Sequence, residues 1–126
     1  MEPRAFLHIT SREAWDAAVR DGVYRAPSLD TEGFIHLSLE RQWLATAARF
    51  FHGTPGLVLL VIRRAGLTAP VRFESAHGDE FPHLYGELPV TAVVRVLDLS
   101  LSGSGGVLPP DALAAALREA GDAAEI

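Results

Sequence analysis

Three histidines stand where strands normally carry only core residues: Phe6-Leu7-His8-Ile9-Thr10, Gly33-Phe34-Ile35-His36-Leu37-Ser38 and Phe81-Pro82-His83-Leu84-Tyr85-Gly86. An imidazole is costly to bury without a partner, and it is the side chain that most readily changes charge near neutral pH. Three of them in matched apolar settings point to strands converging on a polar site. Period-two geometry sharpens this. Phe6, His8 and Thr10 share one strand face, Phe34, His36 and Ser38 another, and His83 and Tyr85 a third, while Leu7, Ile9, Ile35, Leu37 and Leu84 point the other way. Apolar walls with a few orienting polar groups are what a ligand cleft needs. The other two histidines have blander readings: His52 ends an amphipathic helix, where a cation suits the dipole, and His77 sits in a polar loop. Glu74 shares a strand face with Arg72, which fits either a solvated ion pair or a site role.

Composition limits the chemistry. The 126 residues fit one domain, and 48% hydrophobic with 21% charged residues is a globular balance. A net charge of −5 argues against a nonspecific nucleic-acid or membrane-surface binder, since both reward a basic face. All 11 basic residues are arginine, so no lysine is present for a Schiff base. With no cysteine, disulfides, thiolate catalysis and thiolate metal sites are excluded. Met1-Glu2-Pro3-Arg4 lacks the apolar core of a signal peptide, and the longest apolar run, 57–62, is far too short to span a bilayer. The expected location is cytoplasmic.

The chain alternates strands and helices. A first strand over 4–10 leads into a helix running to about Asp21, with Thr10 as N-cap, Glu13 completing a capping box and Gly22 as stop signal. Residues 23–32 read as a loop and 33–37 as a strand. Ser38 is placed to cap a helix over about 39–52, whose apolar face is Trp43, Ala47, Phe50 and Phe51. The run 57–62 reads as a central strand covered on both faces. Further strands are expected over 71–75, 84–88 and 92–99, a Gly/Ser-rich linker over 100–106 and a short helix over about 112–120. Trp15, Trp43, Phe50 and Leu60 are expected in the core. The order indicates an α+β domain on a split or strongly bent mixed β-sheet with two flanking helices, because the C-terminal half supplies strands without crossover helices. It should occupy 1–100, with 101–126 a linker and short helix packed on it or appended to it.

The motifs above, with Trp15 to Gly22, Tyr24, Ser28-Leu29, Glu32, Gln42, Leu59 to Ile62 and Phe73-Glu74, resemble the bacterial domain of unknown function 952 family over about 4–99. That family is understood to resemble the ADP-ribosyltransferase fold, a split-sheet cleft that holds NAD. The resemblance implies that His8 holds the adenosine ribose and that His36 borders the nicotinamide. For the third-strand position Glu74, His83 and Glu87 compete. A site lacking the glutamate resembles the RNA 2′-phosphotransferase branch, whose members are basic, whereas this chain is acidic. Cleaving the N-glycosidic bond of NAD builds positive charge on the ribose, which dipolar or negative groups stabilise. Catalytic candidates are therefore His8, His36, His83 and Glu74. Thr10, Tyr24, Arg25, Ser28, Ser38 and Tyr85 are candidates for contacting the nucleotide, Arg25 by bidentate contact with pyrophosphate. An acidic chain that binds pyrophosphate requires a local arginine cluster. NAD is the expected substrate and no metal is expected. Two other classes stay open: a silent module binding a nucleotide or another metabolite, and a zinc hydrolase with His8, His36 and His83 as ligands.

Overall fold

The computed structural model describes residues 2–123. Strand β1 (Ala5–Ser11) runs into helix α1 (Arg12–Asp21). The cap is Ser11, whose hydroxyl accepts the Ala14 N–H at 3.0 Å, not Thr10. Pairing continues to Ser11 opposite Leu57, which carries the strand one residue further and moves the helix start with it. Trp15 and Ala18 face the core, whereas Val19 is 53% exposed.

Residues 23–32, expected as a loop, contain a two-residue strand β2 (Val23–Tyr24) and a short helix α2 (Pro27–Thr31). Pro27 sits in the first turn, where its missing N–H costs nothing and its fixed φ is already helical. Strand β3 (Ile35–His36) and helix α3 (Trp43–Phe50) follow. Ser38 does not cap α3. Its backbone exchanges two 2.8 Å hydrogen bonds with Leu7 instead. Trp43 and Ala47 take the inner face of the shortened helix and Phe50 is 58% exposed, which corrects its assignment to the core.

Strand β4 (Leu57–Arg63) is buried along Leu57 to Ile62. A hairpin follows, β5 (Val71–Ala76) and β6 (Asp79–Leu84), then β7 (Leu88–Pro89), β8 (Val93–Asp98), the pair β9 (Ser100–Leu101) and β10 (Val107–Leu108), and helix α4 (Leu113–Ala123). The β5–β6 turn is only His77-Gly78, with φ of 52° and 79°. Two successive positive φ values match the twist of paired strands, so β6 begins at Asp79, earlier than expected, and ends at Leu84.

The strands form two three-stranded sheets, β1-β4-β8 and β3-β6-β5, with ribbons β2-β7 and β9-β10 beside them. The Leu7–Ser38 bridge joins the two larger sheets. Every strand pairing among the described residues is antiparallel, which corrects the expected mixed sheet. Parallel neighbours need a crossover helix between them, and here α1 leads instead to β2, which pairs with β7. The Gly/Ser-rich stretch read as a linker closes as the β9–β10 hairpin. Among the described residues four α-helices accompany the sheets: the two flanking helices and the C-terminal helix that were expected, and the short α2 that was not.

Alternation along β4 divides the core. Val58, Leu60 and Ile62 pack with Phe6, Trp15, Ile35 and Leu84, while Leu57, Leu59 and Val61 pack with Leu7, Ile9, Trp43 and, from α4, Leu113, Ala116 and Ala120. Each such aliphatic side chain contributes about 1.5–3 kcal/mol by leaving water. No helix among the described residues is long and apolar enough to cross a membrane.

Candidate functional site

The second sheet supplies the site. Alternation and register put Phe34 and His36 of the β3 segment, Phe81, His83 and Tyr85 of the β6 segment, and Arg72 and Glu74 of β5 on one face. The opposite face sends Ile35, Leu37 and Leu84 into the core. Two glycines permit this arrangement. Gly33, at φ 90°, turns the chain into β3 in a conformation that L side chains rarely adopt. At Gly86 a Cβ would lie 2.5 Å from the Cβ of Ala69, so a side chain there would push Tyr85 and its neighbours out of place. The Ser28 hydroxyl donates to the Phe34 carbonyl at 2.7 Å and pins the approach to β3.

The rings then meet. Phe34 stacks on His83 with centroids 4.0 Å apart and 13° between planes, and lies 4.8 Å from His36 and 5.2 Å from Tyr85. His36 and His83, opposite each other in the ladder, are edge to face at 5.2 Å. Behind them one carboxylate oxygen of Glu74 accepts both the Tyr85 O–H and, at 2.9 Å, the His83 Nδ1–H. The hydrogen bond from Tyr85, then that from His83, holds the Glu74 carboxyl below its usual range, and the same contact raises the Tyr85 phenol. Arg72 lies over the Tyr85 ring at 5.2 Å. His83 is only 5% exposed, and its Nε2 is shielded from water with no partner among the described residues.

His8 is wired differently. Burial pushes it down to about 4, opposed by its hydrogen bond to the His36 carbonyl and reinforced by the nearby His36 ring, so it is neutral at pH 7. Its Nδ1–H donates to that carbonyl at 2.6 Å. Nε2 must then accept, and the Tyr24 hydroxyl 2.8 Å away donates to it. A phenol has one proton, so Thr10 Oγ1, 3.0 Å beyond, donates to Tyr24 in turn. Burial raises the Tyr24 phenol, keeping that proton in place. His8 thus ties β1 to β3 with both nitrogens spent.

A cavity of about 490 Å³ opens between the two sheets, bordered by His8, His36, His83 and Ser38. Ile9, Leu37, Phe51 and Phe81 supply apolar wall, and Phe50 and His77 meet edge to face at 5.5 Å on its border. Glu32 also borders it, with Oε2 3.0 Å from His36 Nε2. Sequence reasoning had not singled out Glu32, Phe51, Phe81 or Thr46 as lining. The spacing of Glu32 four residues before His36 was the available signal. Thr10 and Tyr24 lie behind His8, and Glu74 and Tyr85 behind His83, not on the cavity wall.

Arg25 is elsewhere: an exposed residue paired at 2.8 Å with both Glu87 and Asp30, whose hydrogen bonds raise its guanidinium further. No arginine borders the cavity among the described residues, so the cluster that a pyrophosphate requires is not at this wall. Nor does any group of three His, Cys, Asp or Glu among the described residues have the arrangement to hold a metal. His8, with both nitrogens engaged, offers no lone pair to a three-histidine zinc centre. The cavity therefore has largely apolar walls, with the rings of His36 and His83 and the Glu32 carboxylate at its border.

A comparison with curated proteins finds no match. Among solved structures, the crystal structure of protein CC0527 from Caulobacter crescentus is similar at 37% identity and TM-score 0.78, covering 90% of this chain and 98% of that one. The solution NMR structure of the same bacterial protein matches at 38% identity and TM-score 0.72, covering 86% and 93%. The model of the family described as Protein of unknown function (DUF952) matches residues 9–96, and the chain belongs to that family.

Proposed function

We propose that the cavity between the sheets binds a small molecule with a flat, hydrogen-bonding ring, NAD or a related nucleotide entering by its nicotinamide end. The observation that carries this is the convergence of His8, His36 and His83 on one slot with aromatic and aliphatic walls. Stacking on such walls contributes about 0.5–1.5 kcal/mol beyond burial. The nicotinamide of NAD carries a positive charge, which suits a cavity with Glu32 at its border and no arginine on its described wall. The diphosphate would extend outward. The ADP-ribosyltransferase likeness rests on the sequence motifs and belongs to this proposal, as does a cytoplasmic location, where NAD is available.

In the transfer reading, the bond between ribose C1′ and the nicotinamide nitrogen breaks with its electron pair leaving on nicotinamide. The positive charge left on the ribose is stabilised by the neighbouring carboxylate, and an acceptor hydroxyl or water then bonds to C1′ and loses its proton. A silent binding module is the second reading, favoured by the lack of an arginine anchor for the diphosphate at the described wall. Calorimetry with NAD, ADP-ribose and nicotinamide, beside chromatography for released nicotinamide, separates the two. Heat with NAD and nicotinamide release supports transfer or cleavage, and heat without release supports the module. No heat from any of the three at millimolar concentration rejects the nucleotide reading.

A further inference from the structure

We infer that His83 is the hydrogen-bond acceptor of this cleft, held in that role by Glu74 and Tyr85, and that the ligand it takes presents a planar N–H donor of the carboxamide type. The inference rests on the reading of the cavity as a ligand site and adds which chemical group is recognised there.

The tautomer follows from the partners. An ionised carboxylate only accepts, so Glu74 accepts one hydrogen bond from the Tyr85 O–H and one from the His83 Nδ1–H. In the neutral ring that leaves a lone pair on Nε2. A second proton there would place an N–H with no acceptor in a shielded position, at a penalty of about 1–3 kcal/mol. His83 borders the cavity and Glu74 does not, and Nε2, on the side of the ring away from the Glu74 contact, is covered in the unliganded protein, so a ligand donor reaches it once the covering side chains shift. Native folds rarely leave such a buried polar atom without a partner, and those that do require an explanation. A ligand donor supplies one.

The surroundings set the shape of that donor. Phe34 covers one face of the imidazole at 4.0 Å, and His36 stands edge to face at 5.2 Å. A group reaching Nε2 must displace the atoms that cover it and approach along the ring plane, which favours the planar N–H of an amide over a tetrahedral ammonium. Glu74 and Tyr85 are positioning residues in this scheme. They touch no ligand and act by fixing the tautomer.

Nitrogen-15 NMR of the histidine side chains in the full chain tests this. We expect His83 Nδ1 protonated and Nε2 unprotonated in the unliganded protein, and Glu74→Ala to shift the ring toward the Nε2–H form, an effect a merely structural carboxylate would not produce. Benzamide should move the Nε2 resonance to lower frequency, while N,N-dimethylbenzamide, which has no N–H, should leave it in place. His83→Phe preserves the stack on Phe34 and should weaken benzamide about tenfold, as the loss of one hydrogen bond predicts. An Nε2–H tautomer in the native chain overturns the inference, as do equal effects of the two amides or no effect of either. NAD binding that survives His83→Phe would keep the cleft as a ligand site and remove His83 from it. Benzamide seen at Nε2 without NAD heat would remove the nucleotide reading and leave this one.

Discussion

The two three-stranded sheets share antiparallel pairing and differ in what covers them. Strand β4, at the centre of β1-β4-β8, is buried along both faces, so alternate residues feed two separate cores. The sheet β3-β6-β5 covers its Ile35, Leu37 and Leu84 face and sets His36, Phe81 and His83 of the other face on the cavity border. The histidines follow suit. His8, on the covered sheet, spends both nitrogens on the His36 carbonyl and Tyr24, whereas His83, on the open sheet, spends one on Glu74 and keeps the other. Residue type and strand setting are alike in the two cases. The number of partners within reach separates a ring with both nitrogens bonded from a ring with one left over.

Breaking the covered sheet should have the largest effect. Leu60→Ala opens a cavity in the β4 core and should lower unfolding free energy by about 2–5 kcal/mol in urea titration. A loss below about 1 kcal/mol would mean that this sheet is no more closely packed than the open one.

The strut predicts an acid response. His8 is held at about 4 when folded and returns to the ordinary histidine value of 6.5 when unfolded. The unfolded chain therefore binds more protons between those values. This contribution is complete above pH 6.5 and is lost as pH falls toward 4, and a shift of that size is worth about 3 kcal/mol. Unfolding at pH 7 and pH 4.5 should show most of that loss, and His8→Gln should flatten the dependence while lowering stability at pH 7. An unchanged slope in His8→Gln would remove His8 as the source.

Smaller effects belong to the open sheet. Gly86→Ala must displace Ala69 and should cost about 1–3 kcal/mol, with perturbed Tyr85 and His83 resonances. His36→Ala loses a pair that is about half exposed on each side, so stability should change by less than about 1 kcal/mol while NAD heat falls. Unfolding as severe as that of Leu60→Ala would make His36 a structural residue. Phe50→Ala should be smallest, within about 0.5 kcal/mol by thermal melt, because the ring is mostly exposed.

Much of the covered sheet was legible in the chain. The apolar run at 57–62 marks a strand with no wet face, and the alternation in Phe6-Leu7-His8-Ile9 assigns each residue to its side. Local rules suffice there because burial acts on consecutive residues. The open sheet was less legible. Pro82 and the polar run His77-Gly78-Asp79-Glu80 read as a loop, yet two positive φ values close them into a hairpin that sets the register of His83 against Arg72 and His36. Phe50 read as core because its spacing on α3 matches Trp43 and Ala47, and a one-sided period does not reveal where a helix runs out of neighbours.

By itself the sequence determined the α+β class, the central strand, the strand faces of the three histidines and the family motifs that carry Gly33 and Gly86. Only the tertiary structure decided which nitrogen of which ring is free. That depends on a carbonyl 28 residues from His8 and a carboxylate on the strand paired with His83, at distances of 2.6 and 2.9 Å. A hydrogen bond forms over a few tenths of an ångström between groups that no local periodicity relates. The chemistry of the site is therefore set by register and sheet packing, whereas its residue types are set by the chain.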